Sequence, residues 1–146
     1  MPIDHHVDRA KKTVVATPRG TLTHEEMVAY QRAVWSRPGV AGYDELIDMS
    51  VVDRLDLRSP GQVFELAALS ATMDAGKPCS RLAIVASNKL HAALGRMYRA
   101  SRTQEPSNRR EIEIFQTIEA AWKWLRAGKR PPARRKQATK GSRKPT

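Results

Sequence analysis

The chain has 146 residues, of which 40% are hydrophobic and 28% are charged, and its formal net charge is +11. This composition is typical of one globular domain, and the absence of any apolar stretch near ~20 residues excludes a membrane-spanning helix. The single Cys79 excludes an intrachain disulfide. Because residues 1–10 also lack the apolar centre of a signal peptide, we expect a bacterial-type protein of the cytoplasm.

The first third of the chain predicts a hairpin followed by a helix. Residues 3–7 and 12–17 are β-prone runs separated by charged turn residues. Thr23 and Glu26 have the spacing of a capping box, which predicts that a helix begins there and continues until Pro38. One apolar stripe follows this cap at helical spacing: Met27, Tyr30 and Val34.

The middle of the chain repeats the order of strand and helix. Residues 43–49 predict a strand with an apolar centre, and Ser59 before Pro60 predicts the start of a second helix, which ends near Gly76. Residues 81–86 are almost continuously apolar. Because such a run is typical of a strand covered on both faces, we expect it to be the central strand of the sheet.

The last elements complete the pattern. A third helix is expected to begin after Ser87 or Asn88. Residues 111–115 alternate between polar and apolar side chains, which predicts a half-exposed strand near an edge. Thr117 predicts the cap of a fourth helix with a clear apolar stripe, and Gly128 its end.

Alternation of strands and helices predicts an α/β fold, a mixed sheet with about four helices in one domain of residues 1–127. Residues 128–146 contain no acidic and no large apolar side chain, so we expect a disordered tail. Eight of the eleven net positive charges lie there, which leaves +3 on the rest of the chain. The basic residues of the tail are Lys129, Arg130, Arg134, Arg135, Lys136, Lys140, Arg143 and Lys144.

Six segments in this order and spacing resemble one known family over roughly residues 10–126: residues 20–26, 46–50, 81–86, 93–98, 112–115 and 120–125. They are similar to the SpoIIAA-like (STAS/CRAL-TRIO-like) family of small bacterial proteins. The resemblance implies a single α/β domain with a mixed sheet backed by helices. It implies no established catalytic residue, because most members are uncharacterised.

Anti-sigma-factor antagonists of the STAS superfamily carry a regulatory serine at the start of a helix. Asp48 and Ser50 resemble the end of the preceding strand, and Ser59 occupies the start of the helix. Because Leu57 and Arg58 interrupt the family's pattern, a plain helix cap is favoured over a phosphorylation site at Ser59.

Candidate binding residues follow from the expected sheet. Open α/β sheets bind ligands beyond the carboxyl ends of their strands, which here means the segments of Ser50 and Ser87. Arg96, Arg99 and Arg102 recur every third residue and predict a basic ridge on the third helix. Such a ridge could attract an anionic ligand, although a solvated helix face is favoured.

Two tryptophans are candidates for a protein interface. Trp35 and Trp124 lie off or at the margin of the apolar stripes of their helices, where aromatic side chains commonly anchor interfaces. We therefore expect a homodimer or a protein partner.

Several titratable groups are interpreted without a catalytic role. The acidic residues between 44 and 56 are interpreted as solvated turn residues. His5 and His6 point to opposite faces of a strand, so no metal site is expected. Cys79, His24 and His91 lie in separate elements, and the sequence predicts neither an enzyme nor a cofactor.

The sequence thus predicts a non-catalytic regulatory or ligand-binding module. It would act through protein–protein contact or by holding a small apolar or anionic molecule. The alternative is a nucleic-acid-associated protein that uses the basic tail. Because the tail has no aromatic residue to stack on bases, such binding would rely on phosphate contacts alone. A solubilising extension is the other interpretation of the tail.

Overall fold

The structure, a computed structural model, describes residues 3–57 and 59–128. Apart from Gly128, the tail predicted to be disordered lies outside these described residues. None of the helices in the described segments is long and apolar enough to cross a membrane. The strands are β1 (Asp4–Asp8), β2 (Thr13–Thr17), β3 (Gly20–Thr23), β4 (Asp44–Asp48), β5 (Val52–Asp56), β6 (Ser80–Val85) and β7 (Arg110–Phe115). The helices are α1 (His24–Trp35), α2 (Pro60–Thr72), α3 (Lys89–Thr103) and α4 (Ile118–Ala127).

Five strands form the main sheet, in the order β1-β2-β4-β6-β7. β1 and β2 are antiparallel, and every other neighbouring pair is parallel. This arrangement confirms the predicted mixed α/β fold and the opening hairpin. The strand of residues 81–86 is interior, as predicted, but β4 and not β6 is the middle strand. The alternating strand β7 forms an edge, which confirms that prediction.

A second sheet of two strands was not predicted. β3 and β5 pair in parallel, with Leu22 opposite Leu55. In the chain, β3 precedes helix α1 and β5 precedes helix α2. The prediction of an acidic turn for the β5 segment is wrong; only Val52 and Leu55 in this strand are apolar, which gives a weak strand signal.

The helices cover both faces of the main sheet. Helices α1, α2 and α3 pack on one face, and α4 packs on the other against Leu46 and Val85. Gly95 lets α3 approach the sheet closely, because a Cβ atom there would lie 3.1 Å from Cγ1 of Ile114. Strands β4 and β6 therefore lie between two helical layers, and Leu46 and Ala83 on them are fully buried.

Side-chain caps fix where three helices begin. In α1 the Thr23 hydroxyl accepts from the Glu26 amide at 3.1 Å, and the Glu26 carboxylate accepts from the Thr23 amide at 3.0 Å, which confirms the capping box. Asn88, one of the two candidates, caps α3, and Thr117 caps α4 as predicted. Ser59 occupies the N-cap position of α2, but its side chain makes no capping hydrogen bond with described residues.

Candidate functional site

An apolar cavity of about 100 Å³ lies between the main sheet and helices α1, α2 and α3. Ile47, Met49 and Ile84 line it from the carboxyl ends of β4 and β6, and Leu22 and Leu55 line it from the small sheet. The carboxyl ends of parallel strands are where open α/β sheets bind ligands. The cavity therefore lies next to the region in which the sequence predicted a binding site.

Few polar side chains line this cavity, and most of them are already hydrogen-bonded to other residues of the protein. The Tyr30 hydroxyl donates to Glu45 at 2.6 Å, and the Gln31 amide donates to Ser70 at 2.7 Å. His91, in the first turn of α3, also lines the cavity and is only 5% exposed. The cavity is therefore mainly apolar. Among the polar groups on its wall, the imidazole of His91 forms no hydrogen bond with a described side chain.

A buried charge network adjoins the cavity through Tyr30. The Glu45 carboxylate is 1% exposed and accepts hydrogen bonds from Tyr30, from Trp35 Nε1 at 3.2 Å and from Arg110 Nη1 at 2.5 Å. The Arg110 guanidinium also lies 4.0 Å above the Trp35 ring. Burial, together with the nearby Glu45 carboxylate, raises the pKa of Tyr30 well above its ordinary value.

This network corrects the interpretation of the acidic segment. Asp44 and Glu45 are buried and not solvated. Asp44 accepts a hydrogen bond from the Arg81 amide at 2.9 Å, which ties β4 to the start of β6. A buried carboxylate needs a cation or several donors, and Glu45 has both.

A second buried ion pair corrects the predicted basic ridge. Arg102 is buried on α3 and donates to Asp74 at 2.6 Å and to the Tyr98 hydroxyl at 2.7 Å. Arg99 donates to Glu113 at 2.8 Å. Of the three, Arg96 is exposed and Arg99 is half-buried. The ridge is therefore wrong as a continuous surface, since one member belongs to the core and another pairs with β7.

The predicted serines lie at different places on the surface. Ser87 and Arg96 line one surface cleft at the carboxyl end of β6, together with Lys89. Ser50 is exposed after β4, where its amide donates to Asp48 at 3.0 Å, and Ser59 is exposed at the start of α2. The structure thus brings Ser87 and Arg96 together, while neither Ser50 nor Ser59 lines that cleft.

The two tryptophans differ in environment. Trp35 is 5% exposed and bonded to Glu45, so its predicted place on an exposed interface is wrong. Trp124 is half-buried, with its ring centroid 5.5 Å from that of Phe115 and its ring beneath the Arg81 guanidinium. The homodimer stays a prediction, for which Trp124 is the remaining aromatic candidate.

The titratable groups do not converge on one catalytic arrangement. Cys79 is exposed beside the start of β6, His24 Nε2 lies 3.5 Å from Glu65, and His91 faces the apolar cavity. Within residues 3–57 and 59–128, no group of three or more His, Cys, Asp and Glu residues could hold a metal ion. The apolar cavity is therefore the candidate functional site.

Comparison with known proteins supports the architecture. A crystal structure of an uncharacterized DUF3478-family protein from Shewanella loihica PV-4, described as having a SpoIIAA-like fold, matches with a TM-score of 0.55. The match covers 85% of this chain and 94% of that chain, at 22% sequence identity. This chain has a SpoIIAA-like fold. No family model and no curated protein matches it.

The SpoIIAA-like fold confirms what the sequence resemblance implied about architecture. At this level of identity the likeness concerns the fold alone, and folds of this kind do not define a function. The function must therefore be argued from the cavity and the surfaces of this chain.

Proposed function

We propose that this protein is a non-catalytic binding module that holds a small apolar molecule in the cavity between its sheet and helices α1 to α3. The observation that supports the proposal is the apolar lining of the cavity at the carboxyl ends of β4 and β6. Burial of apolar ligand surface there would supply the binding free energy, at roughly 25 cal/mol per Å².

The size of the cavity limits the ligand. Engineered cavities of about 150 Å³ lined by aliphatic side chains stay dry and bind benzene. A cavity of about 100 Å³ therefore suits a single ring after small side-chain adjustments, or the end of an alkyl chain. Leu66 and Leu94 are partly exposed lining residues on α2 and α3, so the wall they form lies close to solvent.

Toluene should bind the wild-type protein and raise its unfolding temperature. At a toluene concentration ten times its Kd, ligand linkage should add about 1.4 kcal/mol to the free energy of unfolding. For a domain of this size that corresponds to a rise of roughly 3–6 °C, measured by calorimetry. Leu94→Phe, which places a larger side chain at the cavity wall, should remove the shift.

The matched control is Leu90→Phe on the same helix, because Leu90 is 62% exposed and does not line the cavity. This variant should keep the full response to toluene. An unchanged unfolding temperature of the wild type in toluene, or equal shifts in the two variants, would contradict the proposed function.

A second candidate function, nucleic-acid association, is favoured by the position of Gly128. This residue, the last described before the basic tail, lines a surface cleft with Lys12, Arg81 and Arg109. The cleft lies at the amino ends of the parallel strands, opposite the apolar cavity. The eight basic residues of the tail follow Gly128 in sequence, and the cleft carries these three cations beside Asp44 and Glu111. Both sets of cations could contact phosphates.

Duplex DNA binding tests this second function. If about six phosphates are contacted, affinity should fall about 10³-fold between 50 and 200 mM salt. Removing residues 129–146 should abolish binding, and Arg109→Glu should weaken it. Lys89→Glu makes the same charge change at the start of α3 and should have little effect. Equal binding by the shortened and full chains, measured by fluorescence anisotropy, would exclude the tail as a DNA-binding arm.

A further inference from the structure

The buried imidazole of His91 indicates which polar group a bound ligand would have. It is 5% exposed in the first turn of α3, and its backbone amide is bonded to the capping side chain of Asn88. No residue in the described part of the chain is hydrogen-bonded to its imidazole. A neutral imidazole offers one donor and one acceptor, and leaving such groups unpaired in an apolar environment costs free energy.

The other polar groups on the cavity wall already have partners. Tyr30 is bonded to Glu45, and the Gln31 amide is bonded to Ser70. Gln62 is also engaged in a polar interaction, and the Tyr98 hydroxyl accepts a hydrogen bond from Arg102 at 2.7 Å. His91 is therefore the polar side chain on the cavity wall that can form a hydrogen bond with a bound molecule.

The lack of charged side chains on the described cavity wall favours a neutral ligand. No Lys, Arg, Asp or Glu is among the described residues that line the cavity. A carboxylate would be buried there without a permanently charged partner, which is costly. A hydroxyl group carries no charge, and it can donate to the unprotonated ring nitrogen of His91 or accept from the protonated one.

We propose that the cavity binds a neutral apolar molecule with one hydroxyl group, an alcohol or a phenol, whose oxygen is hydrogen-bonded to the imidazole of His91. This inference rests on the proposed function, because it assigns the polar contact within the same cavity. The apolar part of the molecule packs against side chains such as Ile47, Ile84 and Leu94.

Toluene and phenol form a matched pair of ligands for the test, because they share one shape and differ by a methyl and a hydroxyl group. The ratio of phenol affinity to toluene affinity is measured by calorimetric titration in the wild type and in His91→Leu. A single hydrogen bond predicts that this ratio falls about 5-fold in His91→Leu. His91→Gln, whose amide can both donate and accept, should retain part of the preference.

Three outcomes separate the two proposals. If toluene does not bind the wild type, the proposed function is wrong, whether or not phenol binds. If toluene binds and the affinity ratio is the same in wild type and His91→Leu, the hydroxyl contact with His91 is wrong. If the variants do not fold, the imidazole ¹⁵N resonances of wild-type His91 decide: phenol should shift them more than toluene does, and equal shifts would overturn the inference.

Discussion

Replacing Arg110 by Met should lower the free energy of unfolding by about 3–5 kcal/mol, measured by urea denaturation. The Glu45 carboxylate is 1% exposed and takes a 2.5 Å hydrogen bond from the Arg110 guanidinium. Without that cation, the carboxylate keeps its bonds to Tyr30 and Trp35 but lies in the core as an uncompensated charge. Loss of the stacking of Arg110 on Trp35 adds to the effect.

The double variant Glu45→Gln with Arg110→Met should recover much of this loss, since a glutamine side chain is neutral and can still accept from Tyr30 and Trp35. Arg99→Met is the surface control, because Arg99 and Glu113 form an ion pair whose side chains are 36% and 45% exposed. It should cost less than about 1 kcal/mol. Equal losses in the two single variants would show that Glu45 does not depend on its buried cation.

Trp35→Ala should destabilise the protein by about 3–5 kcal/mol, again measured as the free energy of unfolding. The Trp35 ring is 5% exposed, donates to Glu45 at 3.2 Å and lies beneath the Arg110 guanidinium. Truncation therefore leaves a large space in the core and removes one of the three donors to a buried carboxylate.

Trp124→Ala provides the comparison for Trp35→Ala. Trp124 is half-buried on α4 and packs against Phe115 and Arg81, so its truncation should cost clearly less. A larger loss for Trp124→Ala than for Trp35→Ala would contradict the burial that the structure assigns.

Sedimentation of the same Trp124 variant also tests the predicted homodimer. If the dimer interface uses the Trp124 side chain, the variant should dissociate into monomers more readily than the wild type.

The fold could be predicted from the sequence where one local signal fixed each element. The capping box of Thr23 and Glu26, the cap at Thr117 and the apolar run of residues 81–86 all describe neighbours along the chain. Such signals place helices and strands, and their alternation implies the sheet. They do not determine strand order, so the sequence predicts β6 as the middle strand although β4 occupies that place.

The sequence predicted a site near the carboxyl ends of the strands, but neither Ser50 nor Ser87 lines the cavity. The cavity is formed by residues from eight helices and strands, which no local pattern connects, and Glu45 pairs with a residue 65 positions away. One signal was present: Glu45 lies directly before the apolar pair Leu46 and Ile47 in β4, where a charged side chain can indicate a buried partner. The sequence alone could not identify that partner as Arg110.

The pairing of β3 with β5 has a consequence for how fast a molecule could exchange with the cavity. Leu22 and Leu55 on these strands form part of its wall, and an isolated two-stranded sheet is marginally stable. We therefore expect this wall to open at a lower cost in free energy than the five-stranded sheet. Residence time of a bound molecule would then depend on local opening of this strand pair, while the five-stranded sheet stays intact.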